Sequence, residues 1–282
     1  MKKKIIFLLI ILSLIISCTT EKEKTTNPRY IITSPEVAEI VALIQGTEDI
    51  VGITTECDYP DDLRDIPKVG TFGKVDYEKI ISLNPTLVLT SGLEQELLSF
   101  ELQKLGIPTV QIYPSSIEEM IQAVRKIGVL IDKTERADIV ADSLQTAVNL
   151  LMKLSIERLK DSNRIPGIYI EIYGNPIMSV SDSSFVGEVV RYAGGNNIFS
   201  SLPRDYSKIK PEEVIIADPD IIIITYPGMT ASQIKDRKGW EVISACKNNR
   251  IFTVEDIDPD LILRASPRVV EGIMKLQKVL YE

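Results

Sequence analysis

The chain contains no histidine. That absence removes Ser-His-Asp and Cys-His catalysis, since both depend on an imidazole base. It also removes the common histidine zinc sites. Any haem or cobalt held here needs a non-histidine protein ligand, or none. Cysteine is scarce, at three residues in 282. With Cys18 placed at the end of a signal-like segment, Cys57 and Cys246 remain, each in a different half of the chain. Free cysteine is among the most buried residue types, so two buried thiols are expected rather than a bridge. No phosphate-binding glycine loop occurs, and no apolar run reaches the roughly 20 residues of a membrane span. Positive charge is also short. The net charge is −8, and without Lys2, Lys3 and Lys4 the balance is 29 basic to 40 acidic residues, or −11. A nucleic-acid binder shows a basic footprint, which this composition does not offer.

The front of the chain is informative. Met1-Lys2-Lys3-Lys4 precedes Ile5 to Ile16, an apolar run broken only by Ser13. A charged start and an apolar stretch of about a dozen residues have the form of a secretory signal. The run closes on Ile15-Ile16-Ser17-Cys18, which resembles a bacterial lipobox, so residues 1–18 are expected to be a lipoprotein signal with lipid on Cys18. Residues 19–28 are polar and hold no large apolar side chain, so they are expected to be a tether. The rest is ordinary globular chain, with 44% hydrophobic and 26% charged residues overall.

The body alternates strands and helices, the mark of a parallel sheet covered on both faces. In residues 29–116 strands are expected at Tyr30–Thr33, Ile50–Thr54, Leu87–Thr90 and Thr109–Ile112. Helices are expected at Pro35–Ile44 behind Ser34, Tyr77–Leu83 behind Asp76, and Gln95–Lys104 before Gly106. Residues 117–161 lose the strand pattern. Ile117–Leu130 reads as one helix, and Asp132 as the cap of another running to about Lys160. Ala137, Val140, Leu144, Val148, Leu151 and Leu154 form its apolar stripe. Roughly 28 residues at about 1.5 Å each span about 40 Å, enough to bridge two lobes. Residues 162–282 resume the rhythm, with strands at Ile168–Ile172, Ile221–Thr225 and Ile251–Val254. Helices follow at Ser184–Ala193, Pro211–Ala217, Trp240–Ala245 and Pro267–Leu280. The halves echo each other, the segment from Asp76 to Leu89 against that from Lys210 to Ile223. The expected fold is therefore α/β, two Rossmann-like lobes with parallel sheets joined by one long backbone helix.

Several stretches carry a family likeness. They are Thr54-Thr55-Glu56-Cys57-Asp58-Tyr59-Pro60, Pro67-Lys68-Val69-Gly70, Glu78-Lys79-Ile80 and Asn84-Pro85-Thr86-Leu87-Val88. Ala193-Gly194-Gly195-Asn196-Asn197-Ile198-Phe199 and Arg264-Ala265-Ser266-Pro267-Arg268 continue them. The set resembles the helical-backbone (class III) solute-binding proteins of ABC importers, over roughly residues 29–282. The resemblance implies a monomeric receptor with no cofactor and no catalysis, taking a corrinoid, haem or ferric siderophore to a permease. It also implies a cleft lined by strand-end loops. Ser34, Pro35, Asp58, Tyr59, Thr71, Phe72, Ser91 and Gly92 are the candidates from the first lobe, and Tyr173, Tyr206, Asp260 and Arg264 from the second. Phe72 and Tyr206 stand where cobalamin-binding relatives place tryptophans; the single Trp240 lies elsewhere. Tyrosine and phenylalanine suit a planar ligand. Tyr59 is either a phenolate ligand for haem iron or a packing partner of Pro60. Asp260 and Arg264 are either ligand contacts or an i,i+4 surface pair. Glu78 and Glu212, with Glu213 as the alternative to Glu212, would dock onto permease arginines.

Two readings of other classes stay open on the sequence. One is a surface hydrolase using Asp58 and Asp260 as its acid–base pair. The other is a structural or adhesive lipoprotein.

Overall fold

The structure, a computed structural model, describes residues 27–92, 95–161 and 164–282. Cys18, the signal segment and most of the tether lie outside the described residues.

The first lobe is built on β1 (Tyr30–Ile32), α1 (Pro35–Leu43) and β2 (Ile50–Ile53). A hairpin of β3 (Gly70–Thr71) and β4 (Lys74–Val75) follows, then α2 (Tyr77–Ser82), β5 (Leu87–Thr90), α3 (Glu96–Lys104) and β6 (Thr109–Gln111). The main sheet runs β2-β1-β5-β6 with every pairing parallel. Ser34 and Asp76 start their helices as expected, accepting from the amides of Val37 and Lys79. Both hydroxyl and carboxylate satisfy amides that the first turn leaves unbonded.

Two antiparallel helices come next, α4 (Ile117–Leu130) and α5 (Thr134–Asp161). Arg125 pins them together, reaching Asp138 and Asp142 at 2.6 Å each. Asp132 does not cap α5. It sits in the turn at φ 58°, and Lys133 is the residue next to the helix. The stripe holds from Ala137 to Leu151, but Leu154 is 38% exposed, because the helix has by then passed off α4. Further along, Ser155 donates to the Tyr192 carbonyl, and Gln277 donates to Leu151 and Ser155, so the end of α5 is tied to the second lobe.

That lobe contains β7 (Gly167–Gly174), β8 (Ile177–Val180), α6 (Phe185–Ala193), β9 (Asn196–Asn197), β10 (Tyr206–Lys208) and α7 (Pro211–Ala217). It ends with β11 (Ile221–Ile224), α8 (Ala231–Lys235), α9 (Ser244–Lys247), β12 (Ile251–Phe252), α10 (Asp260–Leu263) and α11 (Val269–Tyr281). β9, β11 and β12 join β7 in a parallel core, and β8 and β10 extend it as an antiparallel wing. The wing was not anticipated. The expected Trp240–Ala245 helix is interrupted. A 3₁₀ turn covers Trp240–Val242, Ile243 is extended, and α9 starts afresh where Asp218 accepts from the Ser244 amide. Burial explains the break, since Trp240 and Ile243 are both fully enclosed.

The echo between halves extends to the backbone. Asn84 after α2 and Asp218 after α7 both adopt left-handed conformations, φ 45° and 44°, immediately before a proline and a buried strand.

Candidate functional site

The carboxyl ends of the strands and the loops behind them meet between the lobes. Glu36 enters from the first turn of α1, Phe72 from the β3–β4 turn, and Ser91 and Tyr113 from beyond β5 and β6. Phe185, Asp205, Tyr206 and the segment Leu263–Ala265 close the cleft from the other lobe. Together they enclose about 230 Å³. Four aromatic rings thus surround a space with a few charged groups, the usual make-up of a small-molecule pocket.

Backbone constraints hold the aromatics. Gly70 has φ 123°, and a Cβ there would fall 2.5 Å from the Lys74 carbonyl, so the tight hairpin presenting Phe72 requires glycine. Glu56 accepts from the Phe72 amide at 2.8 Å, and Gln95 donates to the Phe72 carbonyl at 3.1 Å. Gly92 lets the Tyr113 ring lie against the main chain, where a Cβ would come within 2.5 Å of it.

Beside the cavity an ion cluster bolts the lobes together. Arg264 reaches Glu39 and Asp58 at 3.1 Å each and Asp260 at 2.8 Å. Arg268 holds Glu39 through two bonds, 2.8 and 2.9 Å, and Asp258 at 3.1 Å. Glu39 is 4% exposed. Burial lowers the Arg264 pKa, but Asp260, Glu39 and Asp58 outweigh it and leave the net shift upward. The hydrogen bonds to Glu39 raise that of Arg268. Burial lifts Asp260 above the usual carboxylate value, against the pull of Arg264.

Residues 31–257 match the periplasmic binding protein family. The chain belongs to that family. This periplasmic binding protein has the class III form, two lobes on a helical backbone, and its family binds solutes for ABC importers outside the cytoplasm without catalysing a reaction. It is 26% identical over 261 residues to YvrC of Bacillus subtilis strain 168, an ABC transporter substrate-binding lipoprotein; the match covers 90% of this chain and 81% of that one. A vitamin B12-binding protein of Salmonella paratyphi A is 27% identical over 250 residues, 88% of each chain. The crystal structure of a possible iron-binding periplasmic protein from Staphylococcus epidermidis superposes with a TM-score of 0.78 at 25% identity, over 90% of this chain and 98% of that one.

Of the sequence candidates in this binding protein, Phe72, Ser91, Tyr206 and Arg264 line the enclosed space. Ser34 and Pro35 are buried, and the Ser34 hydroxyl is occupied in capping α1. Their neighbour Glu36 faces the cavity instead, accepting from Ser91 at 2.8 Å. Thr71 caps its own hairpin turn by accepting from the Lys74 amide. Gly92 borders an adjoining groove of about 810 Å³, which shares Tyr113 and Pro114 with the cavity and runs along Gln111 and α4. Asp58 and Asp260 flank the cleft as partners of Arg264, which commits both carboxylates that a hydrolase reading would need. The Tyr59 ring lies 4.1 Å from the Arg268 guanidinium rather than in the cavity lining. Tyr173 is half exposed and packs on Tyr226. Tyr226 is in turn held by the buried Glu171–Arg237 pair, and burial first, then Glu171, pushes its pKa up to about 12.

Sequence reasoning missed Glu36, Tyr113, Phe185 and Asp205 in the lining, and the role of Glu39 and Arg268. A signal for Glu39 existed. It stands on α1 among Val37, Ala38, Ile40 and Val41, all enclosed, and a lone carboxylate on such a face demands a partner. Cys57 and Cys246 are separate buried thiols. Glu78 and Glu212 are exposed in the first turns of α2 and α7. Glu213 is occupied, accepting from the Lys210 amide at 2.6 Å.

Proposed function

We propose that this protein is a lipid-anchored receptor, held by Cys18, that captures a corrinoid, haem or ferric siderophore and delivers it to an ABC importer. The observation that carries the ligand class is the interlobe cavity, walled by Phe72, Tyr113, Phe185 and Tyr206. Broad, stiff rings make large apolar contacts at small entropy cost, which suits a flat or bulky chelate. The enclosed 230 Å³ lies below the roughly 300–1,000 Å³ of drug-sized pockets, so such a chelate would sit partly in the open mouth of the cleft. The vitamin B12-binding relative and the possible iron-binding structure support the same class.

Glu78 and Glu212 would dock onto the permease. Their matching places in the two halves provide two anionic corners for a partner built around a two-fold axis. Of the two neighbours on α7, Glu212 is preferred, since Glu213 serves the helix cap.

Calorimetric titration with cyanocobalamin, cobinamide, hemin and ferric siderophores tests the ligand reading. One-to-one binding of one class, weakened by Phe72→Ala and Tyr206→Ala, is the expected outcome. Absence of binding across the panel would reject it. Detergent partitioning of the native protein, lost in Cys18→Ala, tests the anchor.

A further inference from the structure

The charge around the cleft narrows the ligand further, and the argument rests on the receptor reading above. Three ionisable acids and bases with formal charge at neutral pH line the enclosed space: Glu36, Asp205 and Arg264. Arg264 brings little free positive charge, because three carboxylates already hold it at 2.8–3.1 Å. Arg268 behind it is shared between Glu39 and Asp258. This cluster sets four carboxylates against two guanidinium groups.

Glu36 and Asp205 add to the excess. Glu36 accepts from Ser91 and Asp205 from Ser183, hydroxyls that carry no charge. Neither acid forms an ion pair among the described residues, and no lysine lines the cavity; Lys126 borders only the adjoining groove beyond Tyr113 and is exposed. The nearby Arg64 is exposed and turned to Asp61 and to the Asp58 carbonyl. Arg204, next to Asp205 in the chain, is exposed and does not border the cavity.

Ionised carboxylates only accept hydrogen bonds, so they call for donors on the ligand. Glu36 and Asp205 are half-buried in the cleft; a ligand that covers them takes away their water, and a like charge brought against them is disfavoured. We infer that the cleft selects metal chelates of neutral or positive net charge that present N–H donors to Glu36 and Asp205. Chelates of net negative charge are turned away. Corrinoids with amide-bearing side chains and a cationic cobalt centre fit this description. So do ferric trihydroxamates, neutral or carrying an ammonium group. Haem, with two propionates, does not fit, and neither does a ferric tricatecholate with three negative charges.

The test is calorimetry on the purified protein with five probes: cobinamide, cyanocobalamin, an ammonium-bearing ferric trihydroxamate, hemin and a ferric tricatecholate. The tightest ligand is expected among the first three, by about tenfold or more over either anion. The Glu36→Gln, Asp205→Asn double variant should shrink that gap by about tenfold, with an unchanged far-ultraviolet circular-dichroism spectrum. Hemin or the tricatecholate binding tightest overturns the charge rule and leaves the receptor reading intact. A gap unaltered in the double variant also overturns it. No binding of any probe rejects the metal-chelate reading itself, and the charge rule with it.

Discussion

Glu39 and Arg268 are 229 positions apart in the chain and joined by two hydrogen bonds, 2.8 and 2.9 Å, across the boundary between the lobes. The carboxylate is almost wholly enclosed, and Arg264 shares it. Removing one partner of such a pair strands the other charge away from water. Glu39→Ala is therefore expected to cost about 3–5 kcal/mol in urea unfolding. Glu39→Met combined with Arg268→Met should recover part of that loss, because the whole pair is then replaced by apolar groups. A loss under about 1 kcal/mol for Glu39→Ala would mean that the pair is solvated like a surface bridge.

The proposed permease contacts, Glu78 and Glu212, should separate from ligand capture. Glu78→Arg or Glu212→Arg should abolish transport in cells while leaving the Kd for ligand unchanged. Reversal of Glu213 should instead weaken the start of α7, where its carboxylate serves the Lys210 amide. Transport that survives the Glu78 and Glu212 reversals together would move the docking surface elsewhere.

Cys57 is expected to resist thiol reagents. Burial pushes its pKa to about 11, and Thr54 only partly offsets this. Near pH 8 the thiolate fraction is then on the order of one in a thousand, and the thiolate is the reactive form. A disulfide-exchange dye should label neither Cys57 nor Cys246 in the native protein, and both after unfolding.

Asp218 predicts a feature of the acid limb. The Ser244 amide holds its pKa below the ordinary value, despite an opposing effect of burial. A carboxylate of lowered folded pKa stabilises above its unfolded value, near 3.9. That contribution disappears as pH falls through the lower folded value. Asp218→Asn should thus lower Tm at neutral pH and make less difference in acid below that lowered folded value. Equal effects at both would show that the hydrogen bond, rather than the charge, is what matters.

Local signals were readable where one chain segment contains the whole cause. Ile117–Leu130 and Pro211–Ala217 end where the sequence says, because their starts and apolar spacing are written in neighbouring residues. β10 was not legible: Tyr-Ser-Lys carries no apolar alternation, and only pairing with β8 makes it a strand. The broken helix at Trp240 follows from tertiary enclosure that no local pattern records. Phe72, Ser91, Tyr206 and Arg264 were reachable from strand-end logic and family likeness. Glu36 was displaced by its neighbours Ser34 and Pro35, since a cap and a cavity-facing group sit within the same turn. The cluster of Glu39 with Arg264 and Arg268 joins residues more than 200 positions apart, beyond the reach of any periodicity.

The 28 residues of α5 form one unbroken rod, roughly 42 Å long at about 1.5 Å per residue. Such a strut resists bending, and with the arginine bolts in place the molecule has little room to change its outline. Small-angle scattering should accordingly return nearly the same radius of gyration for the loaded and the empty receptor. A permease meeting it must then recognise cargo from the mouth of the cleft, because the distance between the two proposed docking corners, Glu78 and Glu212, hardly reports what lies between them.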